Sequence, residues 1–276
     1  MYWLNGVPHK KISLNNRGLH FGDGFFTTAK LNNGKIEFLD LHLDRLIISS
    51  NRLMFNCFDI NVIRKEMLSA ASCSGKFDVI KVIIVRSDLY NAPCKYRYIS
   101  DIEPLRIICV SKLSNCYEQW VNLGIRLKTA IIRLSRNDIL SGIKHINRLE
   151  QVMIANWIGK NSDADEALVL DTDGNVVECC SANIFWRYKY EVFTPSLYYA
   201  GVNGIMRQLV IKLLSELGFS VNQVMVGPKH LKCADEVFIT NTLLPIVSVK
   251  SIDDCVYSKK TLFNLLNSYI KNNLIL

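Results

Sequence analysis

The chain has 276 residues, a formal net charge of +8 and 49% hydrophobic residues. That length suits one large domain or two modest ones with a sizeable core, and no apolar run is long and charge-free enough to read as a membrane span. The nine cysteines are scattered without a C-x-x-C pair, which argues against a disulfide framework or a zinc site and suits a reducing cytoplasm. The opening MYWLNGVPHK lacks an apolar signal-peptide core, so a cytoplasmic protein is expected. Basic residues are spread along the chain in runs no longer than two, so charge alone gives little support to nucleic-acid binding.

In chain order, residues 2–4 and 25–31 read as strands, and Asn32-Asn33-Gly34 as a hairpin turn into a return strand over 35–39. Asp40 can cap the helix that follows, whose Leu43, Leu46, Ile47, Ser50 and Leu53 share one face. A second helix is predicted over 60–72, then two strands in DVIKVIIVR and LRIICVSKL. The apolar pattern weakens around 114–124, where we place a linker between an N-terminal α+β domain (1–113) and a C-terminal domain (125–276). Beyond it come a strand in IRLKTAIIRL and a helix starting near Asn147, with Ile146, Leu149, Val152, Met153 and Trp157 at helical spacing. A long hairpin is predicted in EALVLDTDGNVVECCSANIFWRYKYEVFTP, with turns at Asp171–Asn175 and near Lys189 and with Cys179 and Cys180 as small core residues. An amphipathic helix after Gly204, a strand in EVFITNT and a terminal helix over 260–270 complete the chain.

Five places invite chemistry. Lys144 stands ahead of a helix, either as a solvated loop charge or as an amine set to attack a carbonyl. Gly201, Asn203 and Gly204 allow a tight turn into a helix N-terminus, with Asn203 as a candidate N-cap; uncapped N–H groups there suit a phosphate. Glu178 lies in an otherwise apolar segment, so it either faces solvent on an edge or needs a cationic partner. Arg45 is either a solvated helix charge or a phosphate clamp, and Gly22-Asp23-Gly24 is either a plain turn or a close approach to a ligand.

Six segments, RGLHFGDGFFTT, HLDRL, IKHINRLEQ, ECCSANIFW, AGVNGIMRQ and ITNTLLP, run in this order across nearly the whole chain. Together they resemble the fold-type IV pyridoxal-phosphate enzymes and, within them, the aminodeoxychorismate lyases. The resemblance implies an α/β (α+β) fold of two domains, the smaller N-terminal, the larger C-terminal and barrel-like, with pyridoxal 5′-phosphate in the cleft between them. It implies a homodimer and a folate-pathway reaction: β-elimination through a Schiff base that turns 4-amino-4-deoxychorismate into 4-aminobenzoate and pyruvate. Lys144 matches the Schiff-base lysine, Glu178 the carboxylate facing the pyridine nitrogen, and Arg45 the arginine on the phosphate. Gly204, Ile205 and Thr242, with Asn241, match the rest of the phosphate cup.

One segment departs from the family. Where the family has a short glycine-rich loop with an Arg-Gly-Tyr motif, this chain has SDLYNAPCKYRYIS. Arg97 is the counterpart of the motif's arginine and a candidate for the substrate carboxylate, with Thr28 a second substrate candidate. The alternative activity is a D-amino-acid or branched-chain aminotransferase of the same fold, which would share the cofactor residues. HINRLEQ, ECCSANIFW and VNGIMRQ favour the lyase.

Overall fold

A computed structural model of the chain describes residues 1–87, 96–98, 102–114 and 116–273. They form two units: Met1–Ser114 with Lys144–Asn147, and Asn115–Ile143 with Arg148–Leu276.

In the first unit the elements are β1 (Tyr2–Leu4), β2 (Val7–Pro8), α1 (Arg17–Phe21), β3 (Gly24–Asn32), β4 (Lys35–Ile36), α2 (Leu39–Arg52), α3 (Ile60–Ser72), β5 (Val79–Val85) and β6 (Leu105–Ser111). The strands form one antiparallel sheet in the order β2-β1-β6-β5-β3-β4. On β3 the side chains alternate, with Phe25, Thr27, Ala29 and Leu31 buried and Phe26 and Thr28 half-buried. The β3–β4 turn has left-handed Asn33 and Gly34, as a tight hairpin requires.

Here three sequence expectations are corrected. The return strand stops at Ile36, because Phe38 adopts a left-handed conformation and starts α2. Asp40 therefore sits in the first turn of α2 instead of capping it, and pairs with exposed Arg64. The buried face of α2 is also rotated from the predicted one: it carries His42, Leu43, Arg45, Leu46, Ser49 and Ser50, while Ile47 is only half-buried.

The second unit contains α4 (Cys116–Leu123), β7 (Ile125–Thr129), α5 (Leu149–Asn161), β8 (Glu166–Leu170), β9 (Val176–Cys179), β10 (Asn183–Tyr188), β11 (Glu191–Pro195), α6 (Ile205–Glu216), β12 (Ser220–Val224), β13 (Glu236–Thr240), β14 (Val247–Ile252), β15 (Cys255–Val256) and α7 (Thr261–Asn273). Its sheet runs β12-β11-β10-β13-β14-β7-β8-β9, with β15 on β14. Every residue of β8 is buried, because the strand feeds two cores. Leu168 and Leu170 join one apolar cluster, and Ala167 and Val169 join the other, beneath Ile154 of α5. Period-two alternation thus serves two layers at once.

Three more expectations change in this unit. Residues 116–123 are helix α4, not linker, and Tyr117, Trp120 and Val121 pack on the core. The turns at Asp171–Asn175 and near Lys189 fall where expected, but they close two separate hairpins, β8–β9 and β10–β11, far apart in the strand order. The sheet curls enough that β9 still touches β10 and β11. Helix α5 starts at Leu149 rather than near Asn147, and its expected apolar face is largely open: Leu149 is 72% exposed, Val152 57% and Met153 49%. Ile154, outside that expected face, is the residue that α5 buries. None of the described helices is long and apolar enough to cross a membrane.

Candidate active site

Lys144 lies in an extended segment five residues before α5, not at the helix entrance itself. Its carbonyl accepts the Phe26 N–H at 2.9 Å, Ile146 N–H donates to Gly24 O at 3.0 Å, and His145 bridges Phe25. The segment is thereby tied to the start of β3 by one isolated antiparallel bridge and its two flanking backbone bonds. The Asn147 side chain adds a bond to Gly22 O at 3.0 Å. Lys144 is half-buried, with its Nζ 4.8 Å from the centre of the Phe26 ring; Lys81 Nζ lies 4.5 Å from the same ring. The backbone on both sides of the amine is therefore fixed.

Arg45 is buried, so the solvated-charge reading fails. Its Nη2 donates to the Thr27 hydroxyl, which lies 2.5 Å from His42 Nδ1. Arg45 Nε has no hydrogen-bond partner, and among the described residues no carboxylate pairs with this guanidinium. Burial pulls its pKa down to about 9. Such a cation calls for an anion.

Glu178 is buried too, which rules out the solvent-facing alternative. Across the β8–β9 pair it stands opposite Val169, and its Oε2 accepts the Val202 N–H at 2.8 Å. Gly201 makes that approach possible. It has φ +91°, and a β-carbon there would lie 2.7 Å from Val177 and 3.3 Å from the Glu178 carboxylate. The charge of Glu178 is felt by two guanidiniums, Arg148 and Arg207, whose pKa values burial lowers and Glu178 holds up. Arg207 falls to about 10. The chain thus supplies cationic surroundings for this carboxylate from its own residues.

Arg207 lies in the first turn of α6. That turn has no side-chain cap: the N-cap is Gly204, whereas Asn203, expected to cap, accepts from Arg207 Nη1 at 3.1 Å. Gly204 has no room for a side chain, since a β-carbon would sit 2.1 Å from Asn183 Oδ1. The helix N-terminus keeps its dipole and its N–H groups for an anion. At the end of β13, the Thr240 hydroxyl is buried without a partner. Asn241 is committed to its own loop: Oδ1 accepts from Leu243 and Leu244 N–H at 3.0 and 2.7 Å, and Nδ2 donates to Ser181 O. Thr242 follows it, half-buried.

The substrate candidates fare unequally. Thr28 is half-buried on the β3 face that also carries Phe26, and pairs with Lys81 across β3–β5. Arg97 is exposed; much of the loop before it, residues 88–95, lies outside the described residues. Asp23 is held by both Arg17, at 2.8 Å, and Arg86, at 3.1 Å, so the Gly22-Asp23-Gly24 turn is an ion-paired corner of the fold. Sequence reasoning missed Thr27, His42, Arg148 and Arg207. Only His42 carried a local signal, three residues before Arg45 on one helix.

A model of the class IV amino-transferases matches residues 24–252, and the chain belongs to that family of fold-type IV enzymes. Its cofactor is pyridoxal 5′-phosphate. The chain is 32% identical over 255 residues to an aminodeoxychorismate lyase of Vibrio harveyi, covering 91% of each. It is 33% identical over 273 residues to a putative branched-chain-amino-acid aminotransferase of Methanocaldococcus jannaschii, covering 94% of this chain and 90% of that one. Among solved structures it is similar to the 4-amino-4-deoxychorismate lyase of Pseudomonas aeruginosa, with a TM-score of 0.89 and 30% identity over 100% of both chains. Each unit offers a feature that fits a phosphate: in the first, a buried arginine with an open Nε and no paired acid among the described residues, and in the second, a helix start without a side-chain cap.

Proposed function

We propose that this protein is an aminodeoxychorismate lyase, converting 4-amino-4-deoxychorismate to 4-aminobenzoate and pyruvate in the cytoplasm as a homodimer. The observation that carries this reading is the full-length likeness to the Pseudomonas aeruginosa lyase, at 30% identity and TM-score 0.89. The Vibrio harveyi lyase supports it as well. The second reading, a branched-chain aminotransferase, is favoured by the Methanocaldococcus jannaschii relative, which is 33% identical.

In the lyase reading each residue has a task. Lys144 carries the cofactor covalently, and the segment that pairs with β3 fixes the root of its side chain. Arg45, the Gly204–Ile205 backbone at the start of α6, and Thr242 hold the phosphate; Asn241 shapes the loop that presents Thr242. Glu178 would face the pyridine nitrogen and hold a proton there, with the Val202 N–H fixing its carboxylate. Pyridoxal phosphate, when bound, supplies an electron sink for the carbon next to the substrate nitrogen. Lys144 would serve as the base that takes the proton from C4 of the substrate ring. The C3–O bond breaks, the enolpyruvyl group leaves to become pyruvate, and the six-membered ring becomes aromatic. Thr28 and Arg97 contact the substrate in this reading.

The deciding assay follows both products from 4-amino-4-deoxychorismate with no keto acid present. Equal amounts of 4-aminobenzoate and pyruvate are expected. Fast amino transfer from leucine or D-alanine to 2-oxoglutarate, with no 4-aminobenzoate formed, would overturn the lyase reading.

A further inference from the structure

Two buried side chains, Thr27 and His42, have no task in that scheme. Both are wholly inaccessible to solvent. Helix α2 presents His42 and Arg45 on one face, three residues apart, and β3 turns Thr27 toward them. A guanidinium can only donate, so the Thr27 hydroxyl is the acceptor for Arg45 Nη2. Its single proton then has one short direction, toward His42 Nδ1 at 2.5 Å. Burial and the nearby Arg45 charge push the His42 pKa well below its ordinary value, so the ring is neutral and one nitrogen is an acceptor.

The chemistry of this anchor is specific. A carboxylate would hold Arg45 more firmly, but it would also cancel the charge that a phosphate needs. A neutral imidazole and a hydroxyl hold the guanidinium and leave its positive charge available. We propose that His42 is a positioning residue: it accepts the Thr27 hydroxyl proton, turns the hydroxyl lone pair to Arg45, and so aims the guanidinium at the anionic group of the cofactor. This rests on the assignment of Arg45 to the phosphate.

The test compares dissociation constants of the full chain for pyridoxal 5′-phosphate and for phosphate-free pyridoxal, by equilibrium dialysis. Their ratio isolates the phosphate contribution. Arg45→Ala should collapse the ratio. Thr27→Val and His42→Leu should each lower it about tenfold, the scale of one lost hydrogen bond to a charged group, while leaving pyridoxal binding near wild type. Thr27→Ser and His42→Asn, which keep a hydroxyl and an amide acceptor near the original atoms, should restore most of it. In an Arg45→Ala background, His42→Leu should change the ratio no further. If Arg45→Ala leaves the ratio intact, the phosphate assignment itself is wrong and the proposal falls with it. If Arg45→Ala collapses it but His42→Leu and Thr27→Val do not, the assignment stands and only the role of His42 is overturned. Lack of rescue by Ser and Asn also overturns that role, because lost volume would then explain the effect. Should His42→Leu fail to fold, equal ratios for Thr27→Val and Thr27→Ser would refute the relay by themselves.

Discussion

Replacing Glu178 by glutamine changes one charge and almost no volume. The amide oxygen can still accept the Val202 N–H, now 2.8 Å from Oε2, so the turn at Gly201 should persist. A hydrogen bond to a charged acceptor contributes about 1.5–3 kcal/mol and to a neutral one about 0.5–1.5 kcal/mol, so that link weakens by about 1 kcal/mol. For a chain of this size the expected fall in Tm is about 2–4 °C. Catalysis should suffer far more. A glutamine cannot keep the proton on the pyridine nitrogen, and loss of a positioned charge costs about 10² or more in turnover, roughly 2.7 kcal/mol of barrier. Arg148 and Arg207 would at the same time lose the carboxylate that supports their charged forms. The measurement is steady-state turnover at saturating cofactor, alongside thermal unfolding of wild type and Glu178→Gln. A variant that keeps its cofactor and turns over within about threefold of wild type would refute the role given to Glu178.

Other outcomes are expected from the same geometry. Borohydride reduction of the holoenzyme should fix the cofactor on the peptide containing Lys144, and Lys144→Ala should lose the visible absorbance; a label on Lys81, beside the same Phe26 ring, would move the assignment. Arg97→Ala should raise KM for substrate and leave cofactor affinity unchanged, because Arg97 is exposed; an unchanged KM removes it from the substrate contacts. His42 has a folded pKa below its unfolded value, so the unfolded chain binds the extra proton as pH drops below about 6.5. Stability should therefore be full above that pH and decline from about 6.5 downward. In His42→Asn the decline between pH 7 and 5 should be shallower, and parallel Tm curves for the two proteins would contradict a neutral buried ring.

Much of this was legible from the residues, and the failures have physical causes. Hairpin chemistry at Asn33-Gly34 was plain, because local sterics alone decide it. The boundary of α2 was missed because Phe38 adopts a left-handed conformation that its side chain does not favour. Helix α4 was missed because eight residues carry too little periodicity, and only docking of Trp120 and its neighbours on the core stabilises it. The apolar spacing in α5 is real, but exposure shows that it does not mark the buried side in the single chain. In the candidate site, Lys144, Glu178 and Arg45 could be named from motifs. Their supports could not: the Val202 N–H, the Thr27 hydroxyl and the two guanidiniums near Glu178 reach their places through pairings distant in sequence.

The backbone bridge between residues 144–146 and the start of β3 limits how this protein can be divided. Residues 1–114 look like an exchangeable module, yet the Phe26 N–H would then lose the Lys144 carbonyl and the Gly24 carbonyl its Ile146 partner. Residues 144–147 are flanked on both sides by sequence assigned to the other unit. A cut at residue 114 thus separates the N-terminal sheet from the segment bearing the reactive amine. Cassette swaps between relatives at that point would join a β3 from one parent to a lysine segment from another. Recombination that keeps function must therefore inherit residues 22–26 and 144–147 from the same parent, although about 120 residues separate them along the chain.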